Sequence, residues 1–170
     1  MTEGVGHSGA FRDSFDIRAL GTPSRTEIDQ LAPIFDQYRN HYGEAGNASR
    51  AASWLDANLG SGRLDAFVAV ENGEFIGFAI TMAVPASLRL GHFWQIRDLF
   101  VVEHRRQLGV GGALLAFVRS AAFSAGASRV TLQTEVDNAS AVRLYERNGY
   151  SIVEGYCSLT LALDPDLQGS

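Results

Sequence analysis

Residues 96–115 read IRDLFVVEHRRQLGVGGALL and change from one periodicity to another within a short segment. The continuous apolar run at 99–102 is typical of a strand. Apolar residues then recur at a spacing of four, at Leu114, Val118 and Ala122, which predicts a helix. Two arginines and three glycines separate the strand from the helix. Because a glycine-rich turn leaves the first amides of a helix unpaired at the positive end of its dipole, the segment predicts a phosphate-binding turn between the two elements.

The glycine spacing in this turn does not match two common phosphate-binding motifs. A dinucleotide fingerprint needs a third glycine where Leu114 stands, and a P-loop needs a lysine followed by serine or threonine, which the turn lacks. The spacing Arg106-x-x-Gly109-x-Gly111 instead resembles the Arg/Gln-x-x-Gly-x-Gly/Ala signature of the GNAT superfamily of acyl-CoA-dependent N-acetyltransferases. An ordinary strand-to-helix turn with solvated arginines is the alternative explanation of the same residues.

A second segment, residues 134–150, carries the same resemblance. Its sequence TEVDNASAVRLYERNGY is similar to the family's Asn-x-x-Ala-x-x-Leu-Tyr-x-x-x-Gly-Phe/Tyr block, which begins here at Asn138. Within the superfamily, residues 96–101 are most similar to spermidine/spermine-type small-amine acetyltransferases, which carry an aspartate followed by apolar residues at the position of Asp98.

The predicted order of elements is that of the GNAT fold. This is an α/β (α+β) architecture with a mixed central β-sheet, helices on both faces and splayed central strands. We predict one GNAT acetyltransferase domain over residues 15–163, between a flexible N-terminal tail at 1–14 and a C-terminal tail at 164–170. Apolar runs predict strands at 15–20, 66–70, 75–80, 99–102, 129–136, 150–153 and 156–163.

Short local signals set the expected boundaries of these elements. Asn72-Gly73 between two apolar runs predicts a hairpin. Asn47 and Asn138 are expected to cap the second and the last helix. Pro33 lies within the apolar stripe of the first helix and predicts that this helix is kinked or divided.

The composition limits the classes of partner. The chain has 170 residues, 46% of them hydrophobic, which suits one domain with a substantial core. Its net charge of −5 argues against nucleic acid, a membrane surface and acidic partners, because these require a basic field. Cys157 is the only cysteine, which excludes an internal disulfide framework and favours a cytoplasmic location. The four histidines are scattered without ligand spacing, so no metal site is expected.

The resemblance implies acetyl-CoA as the acyl donor, without a metal. Its pantetheine arm would lie in the gap between the splayed strands, bonded to the main chain of Leu99, Phe100 and Val101. Its pyrophosphate would lie on the amides of the turn, with Arg106 beside it. These amides belong to Gln107, Leu108, Gly109, Val110, Gly111 and Gly112. Asn138 is expected to contact the cofactor arm as well as to cap its helix, and Ala141 belongs to the same binding block.

Attack of an amine on a thioester needs an oxyanion donor, an acid for the leaving thiolate and a route for the amine proton. The resemblance implies that the amide of Val101 is the oxyanion donor and that Tyr145 reprotonates the coenzyme A sulfur. A packed helix tyrosine is the alternative for Tyr145. Asp98 is the candidate general base, with a structural pairing to an arginine as the alternative. Glu103 or water could take the proton instead.

The resemblance therefore implies an acetyl-CoA-dependent N-acetyltransferase. Its acceptor would be a small primary amine, amino acid-like or polyamine-like, that attacks directly in a ternary complex. A protein or peptide amine and a non-enzymatic acyl-CoA-binding module are the alternatives. Arg97 stands where polyamine enzymes carry a glutamate, so an acceptor with its own carboxylate would pair with Arg97 or Arg89. Residues 38–46 and 83–91 are expected to select the acceptor, and a homodimer is expected through 150–163.

Overall fold

The computed structural model describes residues 14–155 and 157–161. The strands are β1 (Asp16–Ala19), β2 (Asp65–Glu71), β3 (Glu74–Ala86), β4 (Gly91–Val101) and β5 (Val130–Thr131). The α-helices are α1 (Arg25–His41), α2 (Ala48–Gly60), α3 (Val110–Ser124) and α4 (Ala139–Arg147). The predicted tails at 1–14 and 164–170 lie outside the described residues, apart from Ser14.

The five strands form one mixed sheet in the order β1-β2-β3-β4-β5. Neighbouring strands are antiparallel, except that β4 and β5 are parallel. The β4–β5 pairing consists of Trp94 with Val130 and Gln95 with Thr131, whereas β4 continues to Val101. Among the residues that the structure describes, the second half of β4 therefore has no strand on that side, which confirms the predicted splay of the central strands.

Helices cover both faces of the sheet, as predicted. Val68 of β2 is paired with Phe78 of β3, so their side chains share a face, while the adjacent Phe67 points to the other face. The ring of Phe78 contacts Phe35 of α1 at 5.7 Å, and the ring of Phe67 contacts Phe117 of α3 at 5.8 Å between centroids. Helices α1 and α3 therefore pack on opposite faces.

A β-bulge interrupts β4 at Arg97. Ile80 is paired with Asp98 and Thr81 with Ile96, so Arg97 is an extra residue without a partner in β3. A bulge reverses which face the following side chains occupy. Ile96 before the bulge lies on the α3 face with Thr81, and Asp98 after it lies on the α1 face with Ile80. The bulge is therefore what directs the Asp98 carboxylate towards α1.

The local boundary signals are confirmed. Asn72 (φ 51°) and Gly73 (φ 84°) both adopt the left-handed conformation that the tight turn between β2 and β3 requires. The side chain of Asn47 accepts the Arg50 amide at 2.9 Å, and that of Asn138 accepts the Ala141 amide at 3.2 Å. Both asparagines therefore cap their helices as the sequence predicts.

The predicted division of the first helix at Pro33 does not occur, because α1 runs from Arg25 to His41 without a break. Buried residues occur on both sides of the proline, among them Ile28, Leu31 and Phe35. Their burial against the sheet offsets the loss of one backbone hydrogen bond, whereas the exposed proline ring contacts solvent.

Three predicted strand regions are shorter or absent. The strand predicted at 129–136 pairs only over β5, because β4 diverges from it after Gln95. In the described part of 150–163 no residue is in a strand, so the predicted closing strands at 150–153 and 156–163 are wrong for these residues. Ile152 and Leu159 are 75% and 91% exposed, and none of the five strands in the described ranges pairs with their segments. Residues 156, 162 and 163 lie outside the described residues, and the homodimer through this region stays a prediction.

Asp36 links α1 to α2 and gives a direct test of this packing. Its carboxylate, 8% exposed as a residue, accepts the Arg39 guanidinium at 2.9 Å and the Asn47 amide at 3.0 Å. We expect Asp36→Ala to lower the free energy of unfolding by about 2 kcal/mol, since the hydrogen bonds of a buried carboxylate are lost. Urea denaturation measures the change. The control Asp29→Ala removes an exposed pair with Arg25 and should cost below about 0.5 kcal/mol; equal costs for both variants would contradict the linking role of Asp36.

Candidate active site

A cleft of about 1110 Å³ opens between the second half of β4, the turn into α3, and α4. Most of the predicted site residues line it: Leu99, Phe100, Val101, Arg106, Gln107, Gly109, Gly111, Gly112, Asn138, Ala141 and Tyr145. Three of them do not. The side chain of Val110 is buried in the core, Leu108 is half exposed to solvent, and Asp98 lies in the wall of a neighbouring cavity.

The backbone of β4 faces this cleft at alternate residues. The Val102 amide donates to the Ile76 carbonyl at 3.0 Å, so these two residues form a hydrogen-bonded pair between β4 and β3. Hydrogen-bonded and non-hydrogen-bonded pairs alternate along an antiparallel ladder. The main-chain groups of Val101 and Leu99 therefore point away from β3, towards the gap beside β5. Those of Phe100 point towards β3. The Arg106 Nε donates to the Val101 carbonyl at 3.0 Å, which is consistent with this orientation.

The turn into α3 offers a row of backbone donors. Gly109 precedes the helix with φ 89°, and no side chain caps the helix start. In the described part of the chain, the amides of Val110, Gly111 and Gly112 have no hydrogen-bond acceptor. Gln107 also has a left-handed backbone, φ 63°, which is uncommon for a residue with a side chain. Three neighbouring amides at a helix N-terminus are suited to an anion such as a phosphate.

Two of the three glycines of the turn, Gly109 and Gly111, are favoured for different reasons, and Gly112 has room for a Cβ. Gly109 needs a positive φ, although a Cβ there would meet nothing within 4 Å. At Gly111 a Cβ would lie 3.2 Å from Leu144 Cδ2, so a glycine here allows α3 to pack closely against α4. At Gly112 the nearest atoms, on the Asn148 side chain, are at an ordinary 3.8 Å.

The two arginines of the turn are already engaged by the protein. Arg106 bonds to Val101, and its guanidinium lies 5.3 Å from the centre of the Phe100 ring, so it holds the end of β4 next to the turn. Arg105 is half-buried and forms an ion pair with the buried carboxylate of Glu71. The turn's positive charge is therefore partly neutralised at Arg105, which the sequence pattern does not indicate.

Tyr145 lies in the cleft wall, half-buried, in the last turn of α4. Burial raises its pKa, and the proximity of Tyr42 raises it further. Its ring packs edge-on against Tyr150, with 5.9 Å between centroids. The Tyr145 hydroxyl is therefore protonated at neutral pH and can act only as a proton donor there.

Asp98 directly follows the bulge residue Arg97 in β4 and lies beside Tyr38 of α1. Burial raises the pKa of Asp98, while the Tyr38 hydroxyl and the Arg97 guanidinium oppose that rise. Burial, followed by the charge of Asp98, raises the pKa of Tyr38 far above its usual value. The pattern of apolar residues places Tyr38 in a helix stripe, but no local signal pairs it with a carboxylate sixty positions away.

A second cavity of about 550 Å³ lies between α1, α2 and the bulge of β4. Tyr38 and Arg97 line both cavities, so the two meet at these residues. Of the regions expected to select an acceptor, 38–46 contributes Tyr38 and Arg39 to this wall, whereas no residue of 83–91 lines either cavity. The predicted role of Arg89 gains no support from its position.

Within residues 14–155 and 157–161, no three histidine, cysteine, aspartate or glutamate side chains are arranged to hold a metal ion. Over the same residues, no helix has the length and apolarity needed to cross a membrane.

A strand with outward-facing amides, a splayed neighbour and an uncapped glycine turn define a site of the kind that acyl-CoA-dependent acyltransferases use. Residues 29–150 match the family model described as the acetyltransferase (GNAT) family. The chain belongs to this family, and it is an acyl-CoA-dependent N-acetyltransferase. GNAT enzymes use acetyl-CoA.

Relatives and a solved structure agree with this assignment. The chain is 40% identical over 126 residues to the uncharacterized N-acetyltransferase YhfO of Bacillus subtilis strain 168, covering 74% of this chain and 85% of YhfO. It is 38% identical over 90 residues to a probable acetyltransferase of Haemophilus influenzae, covering 52% and 62% of the two chains. The crystal structure of a probable acetyltransferase superposes with a TM-score of 0.81 at 26% identity, over 88% and 98%. These relatives do not support the spermidine-type subgroup.

Proposed function

We infer that the enzyme transfers the acetyl group of acetyl-CoA to the primary amine of a small molecule. The observation that carries this proposal is the gap beside the second half of β4, where the main-chain groups of Leu99 and Val101 point into a cleft that the uncapped start of α3 also lines. An adjoining cavity of about 550 Å³ is of a size suited to a small acceptor. The two cavities meet at Tyr38 and Arg97, so donor and acceptor would approach from opposite sides, as direct attack in a ternary complex requires.

The residues of the first cleft fit the donor. The amides of Val110, Gly111 and Gly112 suit its pyrophosphate, and the main chain of Leu99 and Val101 suits its amide-containing arm. The remaining predicted contacts, at Asn138 and Ala141, lie at the start of α4 in the same wall. Phe100 and Arg106 support this wall through the ring contact and the bond to Val101.

Acetyl-CoA supplies a thioester whose C–S bond breaks as the new C–N bond forms, so the amine loses one proton and the thiolate gains one. We assign the Val101 amide to the thioester oxygen, because it points into the gap. Tyr145 donates the proton that the sulfur gains. Asp98 takes up the amine proton, directly or through the adjacent Tyr38 hydroxyl, since burial makes its carboxylate a stronger base than an exposed one.

Titration calorimetry with acetyl-CoA tests the donor site. In Gly109→Glu the left-handed backbone is strained and a carboxylate is placed beside the helix start, so binding should weaken by at least about tenfold. Gly126→Glu is the matched control, because Gly126 also has a positive φ (76°) and open space around it but ends α3 instead of starting it. Its affinity should equal that of the wild type. Absence of binding to the folded wild type would refute the proposed function.

A further inference from the structure

We propose that the acceptor is an anionic primary amine, whose carboxylate or phosphate group is held by Arg50, Arg63 and Arg97 in the second cavity. This inference rests on the proposed function and concerns the acceptor side of the same site. It names the chemical class of the substrate and the three residues that recognise it.

The three arginines converge on the cavity from separate parts of the chain. Arg50 belongs to the first turn of α2, Arg63 to the segment between α2 and β2, and Arg97 to the bulge of β4. All three are exposed to solvent, and all three line the cavity wall. No sequence motif groups them, so their convergence is a property of the fold.

The charges of these arginines are not neutralised by the protein. Arg39, also in the wall, pairs with Asp36 at 2.9 Å and with Glu44 at 3.7 Å. Within the described ranges, by contrast, no carboxylate lies within ion-pair distance of Arg50, Arg63 or Arg97. Among the described residues that line this cavity, Asp98 carries the single carboxylate; it is half-buried, and Arg97 acts on it only over a longer distance. The wall is therefore cationic although the whole chain carries a charge of −5.

The position of Arg50 is unfavourable for the helix itself. The first turn of a helix favours acidic side chains, and α2 has none there. A cation at that place is repelled by the positive end of the helix dipole, whereas a bound anion would be attracted both by the dipole and by the Arg50 guanidinium. Arg97 similarly occupies the unpaired residue of the bulge, where its side chain is not needed to complete the sheet. Both positions suit recognition of an anion better than stability.

The rest of the cavity fixes the orientation of such an acceptor. Trp54 is 44% exposed and stacks on Phe35, with 5.5 Å between centroids and 9° between planes, so it offers an apolar surface. Guanidinium groups bind carboxylates and phosphates through paired hydrogen bonds. With the anion on Arg50 and Arg63, the amine would extend towards Tyr38 and Asp98, where the two cavities meet. A polyamine has no group for the arginines and would be repelled by them.

A panel of matched acceptors tests the proposal. Phenylalanine is compared with phenylalanine amide and with phenethylamine, both of which lack its carboxylate. In the same way, 2-aminoethylphosphonate is compared with ethylamine. Spermidine and a peptide whose C-terminus is amidated complete the panel. Thiol release from acetyl-CoA is measured, and products are identified by mass spectrometry. We expect kcat/KM to be at least about 30-fold higher for the acidic member of a pair. The carboxylate and phosphonate pairs show which anion is preferred.

Variants of the cavity add a second readout. Arg50→Gln, Arg63→Gln and Arg97→Gln should each raise KM for the acidic acceptor by about tenfold or more, with little change for its neutral counterpart. Arg63→Lys should restore part of the loss. Arg25→Gln is the control, since Arg25 is exposed on α1 and lines neither cavity. Acetyl-CoA affinity should be unchanged in the variants of Arg25, Arg50 and Arg63, none of which lines the first cleft.

Several results would overturn the proposal. The first is a kcat/KM for the neutral amines that equals or exceeds that for the acidic acceptors. The second is a higher kcat/KM for spermidine or the amidated peptide. The third is an unchanged KM for the acidic acceptor in all three glutamine variants. Absence of turnover with the whole panel, in a protein that binds acetyl-CoA, would also count against it. Absence of acetyl-CoA binding would instead refute the proposed function, so the two failures are distinguishable.

Discussion

We expect Tyr145→Phe to lower kcat by about 10²–10³-fold while the Kd for acetyl-CoA stays unchanged. The substitution removes one hydroxyl and keeps the ring, so the edge-on packing against Tyr150 at 5.9 Å is preserved. Burial raises the pKa of Tyr145, which keeps the phenol protonated through neutral pH. The proton that a leaving thiolate needs is therefore lost in the variant, and thiolate departure becomes rate-limiting.

The neighbouring tyrosine provides a matched control. The Tyr150 hydroxyl is buried and has no hydrogen-bond partner among the described residues, and burial raises its pKa to about 12. Tyr150→Phe therefore removes a hydroxyl from the same pair of rings without removing a donor from the cleft. Its kcat should match that of the wild type, and its stability should be equal or slightly higher.

The pH dependence separates an acid from a packing residue. Because its pKa is raised, Tyr145 stays protonated until the pH exceeds the ordinary tyrosine value of about 10. The wild-type rate should therefore show no loss from this group below that pH, and Tyr145→Phe should lower kcat by a constant factor across neutral pH. Stopped-flow measurement of thiol release gives the chemical step directly. Turnover unchanged in Tyr145→Phe would remove the acid role.

Local sequence signals predicted the parts of this fold that depend on a few adjacent residues. The hairpin follows from Asn72-Gly73, and the starts of α2 and α4 follow from the caps Asn47 and Asn138. Each of these features is decided by backbone conformation or by a cap within three residues. The two motif segments also identified most of the residues that the fold brings together around the cleft beside β4.

Features that depend on distant pairing were not predictable in this way. The bulge at Arg97 arises from the register of β4 against β3, and that register reverses the face of Asp98. Its neighbour Tyr38 comes from α1, so only the packed structure brings the two together. The alternation at 150–163 resembles a strand, yet a strand forms only where a partner backbone is available.

The net charge of the chain did not predict the local charge of the second cavity. A charge of −5 describes the long-range field and argues against acidic partners in general. A cavity is governed by the charges within a few ångströms, since more distant exposed charges are screened. Arg50, Arg63 and Arg97 therefore can create a cationic site on an acidic protein, and only the fold reveals that they share a wall.

Asp98→Asn is expected to lower kcat/KM by about 10²-fold or more at pH 7 without loss of stability. Asparagine keeps the size of the side chain but cannot accept the amine proton. The rate of the wild type should fall on the acidic side as Asp98 becomes protonated, and this limb should lie above the range of an ordinary aspartate because burial raises its pKa. The variant should lack that limb.

The stability of the same variant distinguishes catalysis from structure. A carboxyl group whose pKa is raised on folding favours the folded state most at low pH, below its unfolded pKa of about 4, and loses this contribution as the pH rises through the folded value. Ionised Asp98 therefore costs folding free energy at pH 7. Asp98→Asn should have an equal or higher urea midpoint at pH 7, and the difference should decrease towards acidic pH.

Asp65 supplies the control for this argument, because burial also raises its pKa and it lines neither cavity. Asp65→Asn should change stability in the same direction and leave kcat unchanged. If Asp98 were instead a structural partner of Arg97, its loss would lower the urea midpoint at pH 7, because an attractive pair would be broken. A destabilised Asp98→Asn with normal turnover would therefore contradict the assignment of a base, and the amine proton would then pass to water.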